Sequence, residues 1–108
     1  MDRLKLIKLL GDRLTEIDIL RGSLLPDEPN RKALDGKRKA LDNRQLKLSK
    51  QVWDDGTQKY KDAAKDLAEV NKELAKTISE IEKVAETLDT LARFITVVDK
   101  IINIVLPA

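Results

Sequence analysis

The pattern of apolar residues predicts an all-α protein, either an elongated helical hairpin or a bundle of three helices with coiled-coil-like packing. Three observations carry this. Charged residues make up 37 % of the chain and aromatics only 3 %, with 42 % hydrophobic residues, the composition of long amphipathic helices. The hydrophobic residues recur at steps of three and four along most of the chain, which is the helical period. Gly22, Pro26 and Pro29 mark one break and Asp55-Gly56 a second, Gly and Pro being the strongest local breakers. So much charge would suit disorder if the hydrophobic residues were scattered, but their periodic arrangement opposes that reading. A chain of 108 residues is read as one domain, 1–108.

The first helix is expected over residues 2–21. Leu4, Ile7, Leu10, Leu14, Ile17, Leu20 and Leu24 follow the helical period, and Leu6, Leu9 and Ile19 widen the stripe enough to want two neighbours. Gly11 weakens the helix interior by about 1 kcal/mol against Ala. Residues 22–29 (GSLLPDEP) form the clearest break, because Pro26 and Pro29 push the residues before them out of the α region. A proline also suits the first turn of the next helix.

The second helix is expected over 30–54. Here Arg31-Lys-Ala-Leu-Asp35 recurs as Arg38-Lys-Ala-Leu-Asp42, and the spacing of seven stacks Leu34, Leu41 and Leu48 on one side, with Val52 extending the seam. Gly36 falls on the exposed side. The second break is Asp54-Asp55-Gly56-Thr57, where Asp-Gly is a turn dipeptide and Asp55 or Thr57 can cap the next helix. Trp53-Asp-Asp-Gly56 differs by one residue from the Trp-x-Gly turn motif of small secreted helical hairpins. Four residues assign no family, and Trp53 is read as closing one end of the bundle.

The third helix is expected over 57–106, a stretch without Gly or Pro up to Leu106. With Tyr60 at heptad position a, that position reads Tyr60, Leu67, Leu74, Ile81, Leu88, Ile95 and Ile102. Position d reads Ala63, Val70, Thr77, Val84, Leu91, Val98 and Val105. Thr77 alone is polar in this set, so the pattern predicts seven unbroken heptads. Asp66, Glu73 and Glu80 form an acidic rail beside the seam. The stretch 94–106 (FITVVDKIINIVL) is apolar nearly all round.

The net charge of +2 conceals an asymmetry. Residues 30–53 hold eight Lys/Arg against Asp35 and Asp42, whereas 54–93 hold seven basic and ten acidic residues. The basic stretch would suit phosphates, but pairing with an acidic partner helix of the same chain is the favoured reading. Nucleic-acid binding is accordingly disfavoured. The chain has neither His nor Cys, which excludes disulfides, Cys/His zinc sites and His-activated nucleophiles. A di-iron bundle needs Glu-x-x-His, so Asp62, Asp66, Glu69 and Glu73 are read as a solvated rail. Neither a phosphate-binding nor a dinucleotide glycine motif is present. No catalytic, cofactor or metal residue is expected, and the chain is read as a non-enzyme.

Equal arms about Asp55-Gly56 suggest a hairpin, with a third helix on the order of 75 Å long at 1.5 Å per residue. The basic second helix would then face the acidic half of the third. The apolar end would exceed what one chain covers, which makes Phe94, Ile95, Val98, Ile101, Ile102 and Val105 the expected interaction residues. The expected function is that of an interaction or scaffold protein that self-associates or docks a helical partner. The alternative is membrane association through the apolar C-terminal segment. With neither a signal peptide nor a span of roughly 20 apolar residues, the expected location is cytoplasmic.

Overall fold

The computed structural model describes residues 1–106 and contains four helices, not three: α1 (Arg3–Gly22), α2 (Pro29–Ser49), α3 (Gln58–Ala75) and α4 (Val84–Val105), with a 3-10 turn at Ile81–Lys83 leading into α4. No strand occurs among the described residues. The last two residues of the expected 1–108 domain lie outside them.

Local chemistry sets most helix starts. Asp2 caps α1 by accepting the Lys5 amide at 2.8 Å, leaving one fewer orphan N–H in the first turn. Pro29 occupies the first turn of α2, where its missing N–H is no loss. The Thr57 hydroxyl accepts the Tyr60 amide at the start of α3, at 3.3 Å.

α1 and α2 form an antiparallel hairpin, tied near its loop by Arg21–Asp35 (2.9 Å) and Arg38–Asp18 (2.9 Å). Its other end is held by the Gln45 amide, which donates to the Ile7 carbonyl at 3.1 Å. α3 and α4 form a second antiparallel hairpin, bridged by Lys100–Asp66 (3.3 Å) and Arg93–Glu73. The hairpins pack with like-directed helices side by side. α2 lies along α4, marked by Arg44–Asp99 at 2.7 Å. α1 lies along α3, marked by Arg13 Nη1 donating to Asn71 Oδ1 at 3.1 Å. α2 and α3 are thus diagonal, so the basic helix does not face the acidic rail as expected. Asp66 and Glu73 of that rail pair with α4 instead.

The expected continuous helix over 57–106 is broken between Ala75 and Val84. The bundle measures 43 × 23 × 19 Å with a radius of gyration of 14.0 Å, close to the roughly 13 Å of a compact domain this size and far from a 75 Å rod. No Gly or Pro marks the break. Thr77, the one polar seam residue, marks it instead. The amides of Lys76, Thr77 and Glu80 bond three residues back, tightening the chain into turns. The buried Thr87 hydroxyl donates to the Thr77 hydroxyl at 2.9 Å, pinning the start of α4 to the end of α3. Folding back lets α4 bury its apolar face in its own chain, which stabilises a helix more than its intrinsic propensity does.

The core is one cluster drawn from all four helices. α3 follows the expected register, with Tyr60, Ala63, Leu67 and Leu74 buried. In α4 the buried residues are Val84, Thr87, Leu91, Phe94, Ile95, Val98 and Ile101. Relative to α3 their stripe has slipped by three residues, so Ile81 is exposed and Leu88, Ile102 and Val105 only flank the core. In α1 the core stripe starts at Leu6, while Leu4 and Ile19 are exposed. α2 ends five residues short of the expected 54. Val52 therefore sits in the loop and faces solvent rather than extending the seam.

Candidate interaction surface

Four of the expected interaction residues, Phe94, Ile95, Val98 and Ile101, are buried in the bundle core, and Ile102 and Val105 are half-buried beside it. The chain covers most of this apolar stretch itself, because α4 is wedged between α2 and α3. What α4 leaves open is the side it shares with α2. Two adjoining concavities, of ≈ 500 and ≈ 610 Å³, run along the α2–α4 seam and meet at Arg44. The first has a floor of small residues: Ala33, Gly36 and Ala40 from α2, with Ala92 and the edge of Ile95 from α4. The second is walled by Leu46, Lys47 and Lys50 from α2 and by Ile102 and Asn103 from α4.

Helical periodicity explains the lining. Leu34, Leu41 and Leu48 point inward, which turns Gly36, Asn43, Leu46, Lys47 and Lys50 outward on the same helix. Gly36 has open space where a Cβ would stand, so the groove is shallowest in side chains there. Leu46 is 54 % exposed, a large apolar group standing in water on the groove wall.

Charge along the groove is one-sided. Arg44 spends its guanidinium on Asp99, through bonds of 2.7 and 3.2 Å, and on the Ala40 carbonyl at 2.8 Å. That pair is neutral within itself. Lys37, Lys47 and Lys50 line the same groove, and no ion pair occupies them among the described residues. Elsewhere on α2, the Arg38 guanidinium donates to Asp18 and holds that carboxyl below its ordinary value, and Arg21 holds Asp35. Arg21 and Arg38 at the hairpin end are therefore paired, whereas Lys37, Lys47 and Lys50 along the α2–α4 groove, like Lys32 and Lys39 elsewhere on α2, have no ion pair among the described residues.

A further concavity, of ≈ 400 Å³, lies between the last turns of α1 and the 76–83 turn, lined by Ile19, Leu20, Ile78 and Ile81 with Glu16, Glu80 and Glu82 at its rim. Glu16 and Glu80 are already paired, with Arg13 at 2.8 Å and Lys83 at 3.1 Å. The carboxylates Asp62, Asp66, Glu69 and Glu73 are exposed along α3. Among the described residues no group of three or more potential ligands could hold a metal ion.

The sequence carried a partial signal for the groove: the excess of basic residues over 30–53 and the apolar character of Ile95 and Ile102. Ala33 and Leu46 carried no signal, and the joint role of these two with Gly36, Lys47 and Lys50 was not visible because it depends on α2 and α4 being neighbours, which the unbroken heptad reading denied. Comparisons with protein-family models, with curated proteins and with solved structures find no match to this chain.

Proposed function

We propose that this protein is a non-enzymatic interaction module that binds a helical protein partner along the α2–α4 groove. The observation that supports this is the groove itself: a concavity floored by small residues, with exposed Leu46 and half-buried Ile102 on its walls. It follows α2 from Ala33 to Lys50, about 25 Å at the rise of an α-helix. A channel of that length between two parallel helices has the form of a helix-in-groove site. A photo-crosslinking residue at Leu46 tests the reading against the same probe at Lys61, which is exposed on α3. Discrete adducts with a protein from Leu46 alone are expected. Equal labelling from both positions would contradict the groove.

The second reading is attachment to a bilayer surface. No described helix is long and apolar enough to cross a membrane. However, Met1, Leu4 and Val52 are exposed at one end of the bundle, where Arg3 reaches the Gln51 and Ser49 carbonyls. Flotation of the intact chain with anionic liposomes, lost on Leu4→Ser/Val52→Ser, would favour this reading over the groove.

A further inference from the structure

We infer that the groove selects an acidic amphipathic helix, one whose apolar stripe is flanked by Glu or Asp. This rests on the groove being the docking site and goes further by assigning the chemistry of its occupant. Two features of the groove point the same way. Its floor is built from Ala33, Gly36, Ala40 and Ala92, so an incoming helix can approach closely, and its own larger aliphatic residues must supply the apolar contact to Leu46 and Ile102. Its rim carries Lys37, Lys47 and Lys50 without anionic partners among the described residues, while the carboxylate that lines it, Asp99, is consumed by Arg44.

A basic helix placed there would bring like charges together in a partly desolvated channel, where repulsion is stronger than in water. An acidic helix gives each of the three lysines a partner, while the lysine stems cover apolar surface on the incoming helix. Nucleic acid would satisfy the same cations but would make no use of Leu46 and Ile102, and would not need the close approach allowed by Ala and Gly.

The test uses three designed helical peptides of equal length with one shared aliphatic stripe. Their flanking positions are Glu, Gln or Lys, and each is titrated against the intact chain by fluorescence anisotropy, with duplex DNA as a fourth probe. The Glu peptide is expected to bind at least tenfold tighter than the Gln peptide, with an advantage that shrinks as salt is raised. It should also weaken at least tenfold on Lys47→Gln/Lys50→Gln, a solvent-facing change that sets no anion at the C-terminal end of α2 and leaves the melting curve near wild type. If the Glu and Gln peptides bind equally, charge selection is overturned while the groove stands. If no peptide binds, both the selection and the docking site fall. Duplex DNA binding tighter than the Glu peptide, with a steep salt slope, would overturn the proposal in favour of phosphate recognition.

Discussion

Tyr60 is fully buried, and neither its hydroxyl nor the Trp53 indole N–H beside it finds a hydrogen-bond partner among the described residues. The two rings stand 5.9 Å apart and tilted, with the Arg3 guanidinium 5.4 Å from the indole centroid. They close the end of the bundle where α2 passes into α3, which is the role expected for Trp53. A buried hydroxyl without a partner is a liability of about 1–3 kcal/mol, so Tyr60→Phe is expected to stabilise the fold by about 1 kcal/mol, read from the urea midpoint. Burial also raises the Tyr60 pKa above its ordinary 10.0. The folded chain then keeps a proton that the unfolded chain releases. This contribution to stability is complete below pH 10 and is lost as pH climbs beyond it, so Tyr60→Phe should flatten the alkaline fall in stability. The Thr77–Thr87 hydroxyl pair is a second residue-scale test. The Thr77 hydroxyl also donates to the Leu74 carbonyl, whereas the Thr87 hydroxyl has Thr77 as its partner, so Thr77→Val alone strands the Thr87 hydroxyl and should cost about 1 kcal/mol, and Thr77→Val/Thr87→Val should restore much of it.

At the level of elements, the two glycines inside helices separate clearly. Gly36 faces open space, so Gly36→Ala should stabilise α2 by about 0.5–1 kcal/mol. At Gly11 an added Cβ would stand 3.0 Å from Gln45 Nε2, the amide that joins α2 to the α1 backbone. Gly11→Ala should therefore give a smaller gain or a loss. Both effects are readable by thermal melting, and a larger gain at Gly11 would contradict the tight α1–α2 approach. α1, α2 and the start of α3 were legible in the sequence because prolines, a capping threonine and leucines at heptad spacing mark them locally. The break at 76–83 was not legible. After it, Ile81, Leu88, Ile95 and Ile102 keep the old phase by coincidence, because α4 is apolar on more sides than its buried stripe requires. Phe94 and Ile101, outside the heptad seam as read from sequence, join Val84, Leu91, Ile95 and Val98 of that seam in the core. Truncation after Arg93 is accordingly expected to unfold the chain, with loss of the cooperative melt, because it removes Phe94, Val98 and Ile101 together.

For the whole molecule, turning back at 76–83 converts a long hairpin with an uncovered apolar end into a bundle that covers its own core. The same turn makes α2 and α4 neighbours and so creates the groove. The apolar side of α4 that looked richest in sequence is the one the fold consumes, so Phe94, Ile95, Val98 and Ile101 became core while Ile102 and Val105 flank it. The charge asymmetry is also recast. α2 balances part of its basic excess on Asp18 of α1 and Asp99 of α4, and three of the lysines left without an ion pair among the described residues, Lys37, Lys47 and Lys50, lie along the open groove. All of this depends on α3 and α4 being separate antiparallel helices. The direct test is a spin-label distance between Lys61→Cys and Asn103→Cys, two exposed positions at the same end of the second hairpin. The folded-back chain predicts a separation within the roughly 20 Å width of a helix pair with its side chains. A distance near 60 Å, about that of an unbroken helix at 1.5 Å per residue, would contradict the bundle and the groove with it.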